Sequence, residues 1–336
     1  MNDFVARNAP AQTELLVIMP ALNEAATIAS VIGRVPRALP GIDRVTVLVV
    51  DDGSTDETAR LAREAGAVVV SHGKNRGVGS AVQTGLDEAI RRRADYAVNV
   101  DSDGQFAPED MVKLLQPLIE GRADFATASR FKDRALSPEM PGVKRLGNWG
   151  MARIVSAIVK QRFEDVSCGF RAYTRETMLQ LVLSGTFTYT QEMFLLLGQK
   201  GLRMLEVPLA VRGVREHGES RVASNLFRYA RRTIAIMFNC VRDFSPGAFF
   251  NVTAFALLLL AFGFAAFFVG HRIVAGQFTP HIWAGFMAAF LFGLAFMTFA
   301  LGQVASMVAR LRHMNDKQLY ILRKHLDRAS EDERGS

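Results

Sequence analysis

Residues 96–108 read Tyr-Ala-Val-Asn-Val-Asp-Ser-Asp-Gly-Gln-Phe-Ala-Pro. The first five form a short, largely apolar run, which predicts a strand buried on both faces. Asp101 and Asp103 follow at once, and Pro108 stands where a helix start is expected. Two carboxylates at the end of a buried strand repel each other and are costly unless a cation lies between them. A hard divalent ion with oxygen ligands meets that demand, and such an ion commonly also holds substrate phosphates. Asp101 and Asp103, with the neutral oxygen of Gln105 nearby, are the candidate ligands, and the residues do not choose between Mg2+ and Mn2+. Alone, an Asp-x-Asp is also what an acidic surface turn looks like, because turns are rich in Asp.

The same grammar recurs on the amino-terminal side. Leu15–Met19, Val45–Val50 and Ala67–Val70 are further strand candidates. Helical patterns cover Ala25–Arg34, Thr55–Glu64, Val78–Arg92 and Pro108–Ile119. Strands without polar alternation, separated by helices, predict an α/β domain whose parallel sheet is covered on both faces. Ligands of such sheets bind at the carboxyl ends of the strands. That rule puts Asn23-Glu24, Asp51-Asp52 and Asp101-Asp103 on one rim. Beyond Gly121 the pattern loosens: Phe125–Ala128 and Leu202–Val211 read as strands, Arg145–Lys160 and Arg175–Leu183 as helices.

Each rim loop has a structural reading beside a functional one. Asp51 or Asp52, just past a strand, can accept hydrogen bonds from a ribose or a base. Ser54, Thr55 and Asp56 read better as helix-capping residues. Pro20 to Glu24 (Pro-Ala-Leu-Asn-Glu) follows a strand too, and Asn23 could be a helix cap. Gly73 to Gly79 precedes a helix, where Gly-rich backbone suits close approach of a phosphate. It lacks the Walker pattern, so alone it is a weak signal. His72 and His217 lie near these motifs, with no partner evident for either.

Together the four loops run Pro-x-x-Asn-Glu, Asp-Asp-Gly-Ser, Asn-x-Gly-x-Gly and Asp-x-Asp-Gly-Gln after successive strands. In this the chain resembles the family 2 inverting glycosyltransferases, and most of all their polyprenyl-phosphate group, over about Leu15 to Val222. The resemblance implies a GT-A-type, Rossmann-like catalytic domain with a mostly parallel sheet. It implies donor binding by Pro20, Asn23, Glu24, Asp52, Gly79 and Asp101, and metal binding by Asp101, Asp103 and Gln105. Ser129-Arg130-Phe131, Cys168 to Tyr173 and Gly218-Glu219-Ser220-Arg221 resemble later motifs of the group, with Arg221 where it has Lys. By that similarity Arg130, Arg145, Arg215 and Arg221 join Asp103 in the catalytic set and contact the donor and acceptor phosphates. For Arg145, with Lys144 beside it, a solvated surface charge is an equal reading. The Gln-x-x-Arg-Trp motif of processive synthases is absent, which argues against chain elongation.

Composition is uneven. Hydrophobic residues make up 49% of the 336, and two uncharged runs, Ala248–Val269 and Ile282–Ala309, are 22 and 28 residues long. A bilayer core needs about 20 apolar residues, so both are expected to span one. The net charge of +7 is concentrated on the outer flanks, in Arg228, Arg231, Arg232 and Arg242 before the runs and Arg310, Arg312, Lys317, Arg323 and Lys324 after them. The link Gly270–His281 carries one Arg. The positive-inside rule then puts both flanks in the cytosol, and the position of the basic residues favours a membrane surface over nucleic acid. Arg221–Arg242 reads as an amphipathic helix on that surface. Residues 1–12 carry no apolar signal core. Cys168 and Cys240 suit reduced thiols rather than a disulfide framework.

The expected organisation is an N-terminal tail (1–12), a catalytic domain (13–218), a juxtamembrane helix (219–245), a transmembrane hairpin (246–310) and a cytosolic tail (311–336) in the cytoplasmic membrane. The expected partners are a UDP- or GDP-sugar, a polyprenyl phosphate and the bilayer, with no nucleic acid. Packing of the charged tail Lys317–Arg334 against a second copy leaves a homo-oligomer open. Two other readings stand. One is a transferase with a hydroxyl acceptor, which needs a general base such as Glu192 or Asp165. The other is a catalytically inactive membrane scaffold.

Overall fold

The computed structural model describes residues 12–138, 140–183, 189–211 and 226–335. Seven strands form one sheet: β1 (Glu14–Ala21), β2 (Arg44–Asp51), β3 (Val68–Ser71), β4 (Tyr96–Asn99), β5 (Phe125–Ser129), β6 (Arg171–Thr174) and β7 (Met204–Pro208). Their order across the sheet is β3-β2-β1-β4-β6-β5-β7. β1 to β4 run parallel, as the apolar runs predict, and β1 is buried at every position. β6 is the exception, lying antiparallel between β4 and β5. The sheet is therefore mixed, mostly parallel, rather than all-parallel.

Helices α1 (Ile28–Gly33), α2 (Thr58–Glu64), α3 (Val78–Arg91) and α4 (Met111–Ile119) link the early strands. Pro108 opens a 3-10 turn ahead of α4. Thr55 does not start α2, because residues 54–56 are tied to Asn23 and Ala25 of the first loop. α5 (Gly142–Val159), α6 (Arg175–Gln180) and α7 (Tyr189–Gln199) complete the domain. α7 was not anticipated, although it buries Met193 to Leu197 against the sheet side of the core. β1, β2, β4, α1 and α4 together enclose the main core, around Val17, Met19, Ile32, Val49, Val98 and Leu114.

Three helices follow: α8 (Leu226–Phe244), α9 (Pro246–Ala275) and α10 (Ile282–Gly335). The chain divides into two compact units, residues 1–233 with 320–336, and residues 234–319. In the second unit α9 and α10 are long and apolar enough to cross a membrane, with mean hydropathies of 2.5 and 2.0 in their apolar windows. At 1.5 Å per residue, α9 is about 45 Å long. Glycines of α10 admit close approach by α9 side chains, Gly302 by Phe250 and Gly285 by Phe268, as expected where lipid removes any hydrophobic drive for association. Ala254, Ala261, Ala284 and Ala295 are buried, and a Cβ on Gly302 would meet Phe250 Cβ at 2.6 Å. Large apolar side chains such as Phe255, Phe262, Phe286 and Phe296 point outward and are exposed.

Candidate active site

Strand register builds the rim. Ala21 pairs with Asp51, Asp51 with Ser71 and Ile18 with Asn99, so four parallel strands end at one edge. Because β6 runs the other way, its beginning meets that edge too, with Arg171 opposite Asn99. The loops predicted for the rim are thus brought together, joined by the segment that enters β6.

Side chains lock these loops to one another. Asn23 sits at φ 55°, a left-handed conformation that Asn tolerates better than most residues. Its Oδ1 accepts from Thr55 N at 2.8 Å, while its own N–H donates to Ser54 Oγ at 2.9 Å. Glu24 N donates to Thr58 Oγ1 at 2.8 Å. Pro20 accepts at its carbonyl from Ser102 Oγ at 2.9 Å, and Thr27 Oγ1 donates to Ser102 O at 2.8 Å. Ser102, buried between the two acidic residues, is therefore the strut that fixes the acidic turn to the first loop.

Asp52 is buried and faces the Gly-rich loop. Its Oδ1 accepts from Arg76 N at 2.9 Å, and its Oδ2 from Gly77 N at 2.8 Å. His72 Nδ1 lies 2.7 Å from Asp52 Oδ1, and its Nε2 lies 3.0 Å from Thr84 Oγ1. His72 thus has the partners that the sequence did not reveal. Asp51 Oδ1 accepts from Ser54 N at 3.0 Å. Gly79 is buried in the first turn of α3, behind Gly77 at φ 93°.

In the acidic turn Asp103 is buried and accepts from Gln105 N at 3.1 Å at Oδ1, with Gly104 at φ 74° making the bend. Asp101 and Gln105 are partly exposed. No cluster of three or more His, Cys, Asp or Glu suited to a metal occurs among the described residues. The donor set is two carboxylates and an amide, which fits a hard divalent ion that completes its shell with phosphate oxygens and water. Space supports the fit: Gly169 has no side chain where a Cβ would lie 2.8 Å from Asp101 Oδ2. Buried polar groups ordinarily find partners, yet Asn99 Oδ1, two residues before Asp101, has no hydrogen-bond partner.

Arg130 follows β5 at the same edge. It is bound to Asp165 through Nε at 2.7 Å and Nη2 at 3.0 Å, and to Ser167 Oγ at 2.7 Å. Burial pushes the Asp165 carboxyl up, but the Arg130 charge and its hydrogen bonds outweigh that and hold it below the usual range. Asp165 N in turn donates to Glu206 Oε1 at 2.8 Å. Burial, helped by the Asp165 charge, holds the Glu206 carboxyl above its ordinary value. Arg145 stands exposed on α5, beside exposed Leu146 and Trp149. Arg215 and Arg221 lie outside the described residues, as does His217. Of the two candidate bases, Asp165 is committed to Arg130 and Glu192 is buried in α7.

Behind the rim lies a polar cluster that sequence reasoning missed. Arg171 is 0% exposed and donates to Cys168 O at 2.8 Å, to Val166 O at 3.3 Å and to Met193 Sδ at 3.1 Å. Its guanidinium also lies over the rings of Phe125, Tyr189 and Phe194. Burial and then the Asp101 charge push the Tyr189 hydroxyl well up. Burial, with Asp165, raises the Cys168 thiol to about 12, so it is inert near neutrality.

A mixed α/β sheet with interlocked acidic loops on its carboxyl rim defines a GT-A-type nucleotide-sugar transferase domain. The pattern described as Glycosyl transferase family 2 matches residues 16–181. Polyprenol monophosphomannose synthase of Mycolicibacterium smegmatis is 33% identical over 239 residues, covering 66% of this chain and 85% of that protein. Glycosyltransferase AglJ of Haloferax volcanii is 29% identical over 312 residues, 92% of this chain and 98% of that one. Among solved structures, glucosyl-3-phosphoglycerate synthase from Mycobacterium tuberculosis with Mn2+, UDP-glucose and phosphoglyceric acid superposes with a TM-score of 0.53 at 24% identity. The match covers 68% of this chain and 79% of that one, and it bears on the fold alone. The chain belongs to glycosyltransferase family 2, within the group of polyprenyl-phosphate glycosyltransferases.

Proposed function

We propose that this enzyme moves one sugar from a UDP- or GDP-sugar to a polyprenyl phosphate at the cytosolic face of the cytoplasmic membrane. The observation that carries the proposal is one chain holding both a GT-A rim with a paired-carboxylate turn and two helices long enough to cross a bilayer. A polyprenyl tail stays in lipid, so an enzyme that uses it must keep its site at the headgroup plane. The names of relatives support the acceptor class: the Micrococcus luteus relative is an undecaprenyl-phosphate mannosyltransferase and the Methanococcus voltae one a dolichyl-phosphate N-acetylglucosaminyltransferase. Basic flanks on both sides of the hairpin support the cytosolic orientation.

Mechanistically, an oxygen of the acceptor phosphate attacks the anomeric carbon. The bond from that carbon to the nucleotide's terminal phosphate oxygen breaks, and the nucleoside diphosphate leaves with the electron pair. A phosphate monoester has a second pKa of about 6 and is largely ionised at neutral pH, so this nucleophile needs no general base. That agrees with Asp165 being tied to Arg130. A divalent ion held by Asp101, Asp103 and Gln105 would supply charge neutralisation for the leaving diphosphate. Asp52 fixes the backbone of residues 76 and 77, which keeps the Gly-rich loop in place for the donor. Arg130, aligned in advance by Asp165 and Ser167, contributes fixed positive charge, and Arg145, Arg215 and Arg221 are assigned to the same task.

The test is nucleotide release by the purified protein with undecaprenyl phosphate, Mg2+ or Mn2+ and a panel of UDP- and GDP-sugars. Release that requires the lipid phosphate and disappears in Asp103→Ala supports the proposal. Release independent of lipid phosphate, or unaffected by Asp103→Ala, rejects it.

A further inference from the structure

Asp101 differs from Asp103 in what surrounds it. Asp103 is buried within its own turn, where Gly104 and Gln105 fix it locally. Asp101 instead lies against the backbone of the segment entering β6. An added Cβ at Gly169 would stand 2.8 Å from Asp101 Oδ2, 3.0 Å from Oδ1 and 3.2 Å from the carboxyl carbon. A real Cβ does not come that close to a carboxylate, so any side chain at 169 would drive Asp101 from its place. Gly169 cannot drift away to make room, because Asn99 Nδ2 donates to its carbonyl oxygen at 2.7 Å. Asn99 is itself 0% exposed at the end of β4, opposite Arg171 in the ladder. Just beyond, Arg171 holds the carbonyls of Cys168 and Val166, which fixes the strand entry from the other side.

We propose that Gly169, held by Asn99, is a positioning residue for the reaction: it sets where the Asp101 carboxylate stands on the rim and so governs divalent-metal affinity. The role rests on the reading of Asp101 as a metal ligand. Groups that orient a ligand without touching the metal commonly change metal affinity by about 10- to 100-fold when altered. A Gly169→Ala change acts on the ligand's position without removing any donor atom.

The experiment is a titration of full-length detergent-purified protein with Mn2+ in the presence of UDP, read by the electron paramagnetic resonance signal of free Mn2+, with thermal unfolding measured on metal-free samples. Gly198→Ala is the control, since its Cβ would meet Val159 Cγ1 at 2.5 Å, crowding α5 against α7 away from Asp101. Gly169→Ala is expected to weaken Mn2+ binding about tenfold or more. Gly198→Ala is expected to lower the unfolding temperature and leave Mn2+ affinity as in the wild type. Asn99→Ala, which releases the Gly169 carbonyl without adding bulk, is expected to weaken Mn2+ binding in the same direction and serves if Gly169→Ala does not fold. Wild-type Mn2+ affinity in Gly169→Ala, or in Asn99→Ala, overturns the positioning role and leaves the metal site standing. No Mn2+ binding by the wild type overturns the metal site and the positioning role together.

Discussion

Arg175, the first residue of α6, binds Asp327, which lies 152 residues further along the chain: Nε donates to Asp327 Oδ2 at 3.0 Å and Nη2 to Oδ1. The same guanidinium reaches the carbonyls of Ile90 in the last turn of α3 and of Ala94 just beyond it. Around it, Tyr320 Oη donates to Glu176 Oε1 at 2.5 Å, and Arg323 reaches Leu181 O at 3.0 Å and Asp87 Oδ1 at 3.1 Å. The last stretch of α10 is therefore part of the catalytic unit. Removing Asp327 leaves a mostly buried guanidinium without its carboxylate, and hydrogen bonds to charged groups contribute about 1.5–3 kcal/mol each. Asp327→Ala is expected to lower stability by about that amount in thermal unfolding, with Asp103-dependent turnover retained at low temperature. An unchanged melting temperature would show the clasp to be energetically neutral.

A segment beyond the second apolar stretch that hydrogen-bonds to α3 and α6 must share a compartment with the catalytic domain. On the membrane reading proposed above, the hairpin would then cross the bilayer an even number of times. Single cysteines placed at Ser336 and at exposed Lys160 are expected to react together with an impermeant maleimide, from the same side of oriented vesicles. Labelling of the two from opposite sides would contradict the clasp. A chain cut after Ser245 loses Tyr320, Arg323 and Asp327, so it is expected to lose stability in the catalytic unit.

The parts of the fold legible in the sequence are those whose signal is local. β1, β2 and β4 announce themselves as apolar runs that end in, or are followed within two residues by, Asn or Asp, and the two membrane-length helices by their lack of charge. β6 was not legible: Arg-Ala-Tyr-Thr is four residues long and begins with an arginine, a residue almost never fully buried without a partner. It is tolerated at 0% exposure because two carbonyls, a thioether and three aromatic rings satisfy it. The rim loops were legible as motifs, but their wiring was not. Nothing in the pattern distinguishes Asp52 as a ligand contact from Asp52 as the anchor of residues 76 and 77. Contacts such as Asp52 to His72 or Arg175 to Asp327 depend on topology, which no period reports.

That wiring makes a kinetic prediction for Asp52. Asp52→Ala removes the side-chain acceptor of Arg76 N and one of the two acceptors of Gly77 N, the other being Asn75 Oδ1, and leaves the buried His72 ring without its Nδ1 partner. A buried donor left unsatisfied costs about 1–3 kcal/mol. The donor KM is expected to rise about 10- to 100-fold, each factor of ten being about 1.4 kcal/mol. His72→Ala, which removes one of the three contacts to Asp52, is expected to have a smaller effect in the same direction. Steady-state kinetics with varied donor distinguish this from a direct role in the chemical step, which would lower kcat and leave KM largely unchanged.

Asp165 and Glu206 predict a pH dependence with opposite signs. Asp165 titrates below its ordinary value in the folded protein, because Arg130 outweighs burial. Its stabilising contribution is present above the unfolded pKa of about 3.9 and is lost as pH falls through the depressed folded value. Removing one partner of a buried ion pair costs about 3–5 kcal/mol, so Asp165→Ala is expected to be strongly destabilised at pH 7 and to show a weaker acid limb. Glu206 titrates above its ordinary value through burial and the nearby Asp165 charge. Its contribution is present below the unfolded pKa and is lost as pH rises through the raised folded value, so at neutral pH its ionisation opposes folding. Oε1 accepts from both Glu164 N and Asp165 N, and Glu164 N also reaches Oε2 at 3.1 Å, so a glutamine with its oxygen at the Oε1 position keeps two of the three contacts. Glu206→Gln is therefore expected to unfold at the same or a higher temperature than the wild type at pH 7, with the difference shrinking toward pH 4. A melting temperature that falls at pH 7, by circular dichroism across this range, would mean that the Glu206 charge supports the Asp165 segment rather than straining it.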